Sequence, residues 1–99
     1  MDIVIKFELS NTFLSEDSRK YWIEGKGYDF FLEKTKDLLI LLNKNEYFEF
    51  RANCSEPERD IIKDFDNDLF KIIDKKGLVS ENGDTKLIIT IKPLRLFEL

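Results

Sequence analysis

Residues 3–9, IVIKFEL, alternate along the chain between large apolar side chains and others, and this stretch decides the fold class. In an extended backbone, successive side chains point to opposite faces. One face of this segment would therefore carry Ile3, Ile5, Phe7 and Leu9. A period of two is typical of a half-buried β-strand. The chain is therefore predicted to contain a sheet, and the following segments decide what covers it.

Further strands are predicted downstream. Residues 47–52 and 85–92 repeat the alternation, and in the second segment Leu87, Ile89 and Ile91 are expected to face the core. Residues 20–24, KYWIE, are also predicted as a strand because Tyr, Trp and Ile favour extended structure.

The last predicted strand has a hairpin partner. Leu78 and Val79 are predicted to start a short strand, and Asn82-Gly83 is the signal of a type I′ turn that leads into residues 85–92. Pro93 is expected to end the pairing or to confine it to a sheet edge, because proline has no backbone N–H to donate.

Two helices are predicted between the strands. Asp29 can cap the first, whose apolar positions recur at intervals of three and four until Asn43. The second begins at a capping box in which Ser55 is followed three residues later by Glu58. It is predicted to run from Glu56 to about Lys76, with Gly77 as its left-handed stop.

These elements predict a single domain, residues 1–99, of the α+β class in the order β-(β)-α-β-α-β-β. The expected architecture has two layers: a mixed four- to five-stranded sheet with two helices packed on one face. Each clear strand has one polar side that can stay in contact with water, so one covered face is sufficient.

Composition argues against the common catalytic classes. The chain has no histidine and one cysteine, Cys54. The usual catalytic sites therefore lack the histidine that acts as general base or as metal ligand. We therefore predict no catalytic residue, no metal site, no cofactor and no enzymatic activity. The longest apolar run, residues 38–42, is far shorter than the roughly 20 residues that cross a bilayer. With an unpaired thiol, these features favour a cytoplasmic protein without membrane contact.

Acidic residues concentrate in one part of the chain. The formal charge is −4, and residues 46–68 hold eight acids against three bases. This balance argues against direct nucleic-acid binding. If residues 56–76 form one helix, Asp60, Asp64 and Asp68 line up at intervals of four, where like charges repel. This aspartate row is either ordinary solvated surface or a contact surface for a basic partner.

Two other surfaces are alternatives. The solvent-exposed face of the sheet would carry Tyr47 and Glu49, together with Arg51, Val4 and Ile88. Tyrosine and arginine are frequent interface anchors, although simple cross-strand pairing explains the same residues. The apolar tail from Leu94 could add an edge strand to its own sheet or to a second copy.

The leading hypothesis is a small acidic binding protein of the toxin-immunity or nuclease-inhibitor type. It would neutralise a basic macromolecular partner by electrostatic and steric occlusion, with Asp60, Asp64, Asp68, Tyr47 and Glu49 as candidate binding residues. The alternative is a non-catalytic structural or assembly subunit, possibly a homodimer joined through its C-terminal strand.

Overall fold

A four-stranded mixed sheet with helices on one face forms the fold of the computed structural model, which describes residues 1–10, 12–51, 61–65 and 68–94. In chain order, the elements are β1 (Asp2–Phe7), α1 (Glu16–Glu24), α2 (Lys26–Leu41), β2 (Tyr47–Glu49), α3 (Ile61–Phe65), β3 (Leu69–Val79) and β4 (Thr85–Pro93). The strand order is β1-β4-β3-β2, with β1 parallel to β4 and the other pairs antiparallel. The α+β prediction of a mixed sheet covered on one face is confirmed.

Aromatic rings join the helices to the covered face of the sheet. Phe31 of α2 is fully buried and contacts the rings of Phe7 in β1 and Phe70 in β3. Phe65 of α3 stacks on Phe7 at 5.6 Å between ring centroids and meets the buried Trp22 of α1 edge to face. All three helices therefore pack on the same side of the sheet.

Residues 20–24 are helical, so the strand predicted there is wrong. They belong to α1, whose N-terminus is capped by the Ser15 hydroxyl accepting a hydrogen bond from Ser18 N at 3.2 Å. The helical turn directs Trp22 into the core, where it is completely buried. Burial of so large a ring outweighs the strand preference of the local sequence, which spans about 1 kcal/mol at most.

Helix α2 corresponds to the helix that was predicted to begin at an Asp29 cap. It starts earlier, at Lys26. One residue with an extended backbone, Gly25, separates α1 from α2. A Cβ atom at Gly25 would lie 2.8 Å from Lys20 O, and one at Gly27 would lie 2.8 Å from Tyr21 O. The two glycines therefore allow the helices to approach more closely than side-chain-bearing residues would permit.

The predicted helix from Glu56 to Lys76 is wrong over the residues described. Only α3, from Ile61 to Phe65, is helical, and residues 69–79 form β3. Phe70 and Ile72 are fully buried as alternate residues of this strand. Gly77 lies within β3 and does not have the positive φ of a helix stop. The capping box at Ser55 and Glu58 lies outside the described residues.

A β-bulge in β3 changes which residues face the helices. Ile72 is paired with Ile91, whereas Asp74 is paired with Thr90, so the residue between them has no partner in the register. Before this irregularity the even-numbered residues face the helices, and after it the odd-numbered residues do. Lys75 is thereby turned toward α2, where its Nζ donates to Leu39 O, Ile40 O and Leu42 O at 2.8–3.0 Å.

The predicted hairpin is present, but its turn differs from the predicted type. Gly83 N donates to Ser80 O, and Ser80 N donates to Asp84 O, both at 2.9 Å. Gly83 has a φ of 90°, whereas Asn82 is not among the described residues with positive φ. A type I′ turn needs positive φ at both central residues, so this connection is instead a longer loop closed by a left-handed glycine.

Pro93 ends β4 as predicted, although β4 is an interior strand and not an edge. Leu94 N donates to Leu69 O at 2.9 Å, and antiparallel pairs alternate between bonded and non-bonded positions. The neighbouring pair of Pro93 and Phe70 is therefore a non-bonded one, where a missing N–H removes no bond from the β3–β4 ladder. Because β1 and β3 flank β4, residues 85–93 offer no free edge for a homodimer. The tail after Leu94 lies outside the described residues.

Candidate functional site

The sheet face opposite the helices is the best-defined candidate surface, and we call it the open face. The strand registers place alternate residues on it: Asp2, Val4 and Lys6 of β1, Tyr47 and Glu49 of β2, Leu69, Lys71, Asp74, Lys76 and Leu78 of β3, and Lys86, Ile88, Thr90 and Lys92 of β4. None of the helices within the described ranges packs on this side. Tyr47 is 53% exposed, an unusually open position for a large aromatic side chain.

The open face is basic although the chain as a whole is acidic. Five of its strand residues are lysines and three are acids, which gives +2 on a chain of formal charge −4. Aliphatic side chains separate the lysines, and Val4 lies beside Ile88 in the β1–β4 register. A lysine-rich surface with an aliphatic centre offers both long-range attraction for anions and apolar area for contact.

A cleft of about 290 Å³ indents this face near β2, and we call it the lysine cleft. It is lined by Asn45, Tyr47, Lys71, Ile73, Lys92 and Leu94. Lys71 and Lys92 are direct cross-strand partners in the β3–β4 register. The Lys71 ammonium lies 5.6 Å from the centroid of the Tyr47 ring, within cation–π distance.

Two carboxylates border the lysines of the open face. The pKa of the Glu8 carboxyl lies below its ordinary value of 4.5, chiefly because the Ser10 side chain and backbone donate hydrogen bonds to it, and Lys92 adds a smaller electrostatic contribution. Ser10 N donates to Glu8 Oε1 at 2.9 Å. Glu49 forms an ion pair with Arg51 at 2.9 Å. The Glu8 carboxylate, which is not one of the strand residues, therefore offsets part of the positive charge near Lys92.

The candidate residues from the sequence do not form one surface. Tyr47 and Glu49 lie on the open face, where the strand alternation predicted them. Asp64 belongs to α3 on the covered side, and Asp68 lies outside that helix, where its carbonyl accepts a hydrogen bond from Phe50 N. Asp60 lies outside the described residues. The structure therefore does not align Asp64 and Asp68 on a helix, and the predicted aspartate row loses its structural basis.

Asp64 has a contact with the core instead. Its Oδ2 accepts a hydrogen bond from Trp22 Nε1 at 2.7 Å, and the Trp22 side chain is completely buried. A buried indole N–H without an acceptor is unfavourable, because it loses its hydrogen bond to water on folding. Asp64 thus satisfies the polar atom of the largest core residue and links α3 to α1.

Replacing Asp64 by Ala is expected to lower the free energy of unfolding by about 1–3 kcal/mol, because the indole N–H is left without its acceptor. Asp64→Asn keeps a side-chain oxygen and should cost clearly less. Urea unfolding followed by the fluorescence of Trp22, the only tryptophan, measures both variants. Equal stability of Asp64→Ala and the unmodified chain would show that this hydrogen bond contributes nothing.

The sequence pattern does not identify the five lysines as a group. Lys6, Lys86 and Lys92 lie on the polar sides of predicted strands, so the strand alternation is a signal for these three. Lys71 and Lys76 fall within the predicted helix, and only the observed β3–β4 register places them beside the others.

Other kinds of site receive no support from the described residues. Within the described ranges, no group of three or more His, Cys, Asp or Glu side chains is arranged to hold a metal ion. Among the helices that the structure describes, none has the length and apolar character needed to cross a membrane. Every buried side-chain nitrogen or oxygen of the described residues has a hydrogen-bond partner, so none points to a missing ligand.

We compared the chain with protein-family models, with curated proteins and with solved structures, and none of the three comparisons gave a match.

Proposed function

We propose that the protein is a non-catalytic binding domain whose open face engages an acidic protein partner. The observation that carries this proposal is the segregation of charge: the strand residues of the open face are net positive on a net negative chain. A surface whose charge opposes that of the whole molecule attracts anionic partners in one orientation, because the remaining surface repels them.

Protein fits this surface better than nucleic acid as the partner. The described strand residues of the open face include five lysines, no arginine and a single aromatic side chain, Tyr47. Single-stranded nucleic acids are usually held by several stacking aromatics beside their phosphate contacts. Aliphatic residues between lysines suit a partner that presents carboxylates together with apolar side chains.

This proposal retains the binding role inferred from the sequence but changes the surface and the charge of the partner. Neutralisation of a partner, as in toxin-immunity proteins, is one form that such binding could take, and a cytoplasmic location suits the lone Cys54. A basic partner stays a prediction, although Asp64 and Asp68 do not lie on one helix, and so does assembly as a homodimer. For these two alternatives, the described residues form no surface that supports them. The open face, in contrast, supports an acidic partner.

Selection of random displayed peptides against the immobilised full chain tests the proposal. The selected sequences should be rich in Asp and Glu interspersed with apolar residues. Replacing Lys6, Lys76 and Lys86 together by Glu should weaken their binding by about tenfold or more at low salt, because like charges then face each other. The loss should shrink as salt is added, since exposed charges are screened.

A matched control separates the open face from net charge. Lys20, Lys26 and Lys34 are exposed lysines of α1 and α2, and their replacement by Glu changes the net charge by the same amount. This control should change affinity by less than about threefold, under 1 kcal/mol. Equal loss in both triple variants, or selection of basic peptides, would overturn the proposal.

A further inference from the structure

We infer that the lysine cleft is the anchoring subsite of the open face and that it binds a carboxylate group of the partner. This inference rests on the proposed function and adds to it the place and the chemistry of the central contact. The rest of the open face would then steer the partner, while the cleft holds it.

The first reason is the direct pairing of two like charges. Lys71 and Lys92 are opposite each other in the β3–β4 register and line the same cleft. The pairing places two ammonium groups side by side at one cleft, where both can donate to the same bound group. An anion placed between the two ammonium groups converts their repulsion into attraction and uses donors from both strands.

The second reason is that other residues shape the cleft around these cations. The Tyr47 ring, 5.6 Å from Lys71 Nζ, restrains one ammonium group, and Tyr47 is itself the cross-strand partner of Lys71. Ile73, at the bulge of β3, and Leu94 supply apolar walls. A carboxylate on a short aliphatic stem fits such a site, because its head meets the lysines while its stem contacts the walls.

The third reason concerns the amount of charge. Glu8 is near enough to Lys92 for the two charges to interact, so the positive charge at the cleft is partly offset. A group with one negative charge is therefore better matched than a phosphate monoester, which carries close to two at neutral pH. Lysine also acts as a point charge and lacks the planar fork with which arginine grips phosphate.

Titration of the ¹⁵N-labelled full chain, observed by NMR, tests the inference with defined probes. The main probe is acetyl-Leu-Glu-Leu-Glu-Leu-amide, and its isostere with Gln in place of Glu is the uncharged control. Two further probes are the Gln peptide with a free C-terminal carboxylate and a version with phosphoserine in place of Glu. An oligothymidylate of eight nucleotides represents nucleic acid.

The Glu peptide is expected to shift the amide signals of Lys71, Lys92 and Tyr47 more than those of Lys6 and Lys86, and the Gln peptide is expected to shift none of them. Lys71→Gln with Lys92→Gln should reduce the affinity for the Glu peptide by about tenfold. The same double variant should keep about the melting temperature of the unmodified chain, because substitutions on the surface usually change stability little. Weaker binding at an unchanged melting temperature separates a binding role of these lysines from a structural one.

The outcomes distinguish this inference from the function on which it rests. Shifts spread evenly over all five lysines would support the open face and overturn the cleft as its anchor. No shift on the open face with any acidic probe would count against both. Response to the free C-terminal carboxylate alone would assign the cleft to a chain end, while response to the Glu side chains would assign it to an internal acidic segment. Stronger binding of phosphoserine or oligothymidylate than of the Glu peptide would overturn the carboxylate assignment.

Discussion

Replacing Phe31 by Ala is expected to lower the free energy of unfolding by about 3–5 kcal/mol, the typical loss for truncating a buried phenylalanine. Phe31 is completely buried in α2. Its ring centroid lies 4.8 Å from that of Phe50, 5.4 Å from those of Phe7 and Phe70, and 6.3 Å from that of Phe48. The substitution therefore opens a cavity between α2 and three strands at once.

A chain of 99 residues typically has a total stability of about 5–15 kcal/mol, so this loss is a large fraction of it. Urea unfolding followed by circular dichroism measures the loss. Phe13→Ala is the matched control, because Phe13 is 87% exposed and the chemical change is identical. The control should change stability by no more than about 0.5 kcal/mol. A loss below about 2 kcal/mol for Phe31→Ala would mean that the core closes around the deletion, contrary to the packing described.

Replacing Lys75 by Met is expected to lower the free energy of unfolding by about 2–3 kcal/mol, because one charged group serves three acceptors. Lys75 Nζ donates to the carbonyl oxygens of Leu39, Ile40 and Leu42 at the C-terminal end of α2. The last carbonyls of a helix lack partners within it, and a cation there also interacts favourably with the helix dipole. Methionine keeps most of the side-chain length but donates no hydrogen bond.

Lys76 is the matched control for this substitution. It is the next residue of β3, but it lies on the open face, so Lys76→Met should change stability by no more than about 0.5 kcal/mol. Amide hydrogen exchange should show faster opening of the last turn of α2 in Lys75→Met alone. If both variants behaved alike, the turning of Lys75 toward α2 by the bulge would be disproved.

The difference between Lys75 and Lys76 shows why the sequence could not define the candidate site. The two lysines are adjacent and chemically identical, and nothing in their local pattern predicts which of them faces the helices. The bulge between Ile72 and Asp74 decides which one faces the helices. A bulge depends on how two strands fit together, so the approach of β4 to β3 determines it, not the residues of β3 alone.

Residues 61–73 show that the secondary structure, too, depends on contacts with distant segments of the chain. Ile61, Phe65, Ile72 and Ile73 have spacings that fit one face of a helix, and together with the capping box at Ser55 and Glu58 these spacings favour the long helix. Phe70 did not fit that face, and Phe70 is one of the completely buried residues of β3. A short apolar segment can fit both the helical period of 3.6 and the strand period of two. Which structure forms then depends on the segment against which it packs. Here the partner is β4, which pairs with β3 along most of its length.

The sequence by itself determined the α+β class, most of β1, the strand β4, most of α2 and the hairpin at Gly83, because each has one strong local period or turn signal. Only the tertiary structure decided that residues 20–24 are helical, that residues 69–79 are a strand, and that five lysines share the open face. Local preferences amount to a few tenths of a kcal/mol per residue, whereas burial of a large side chain contributes several times more. Pairings between distant segments therefore override them.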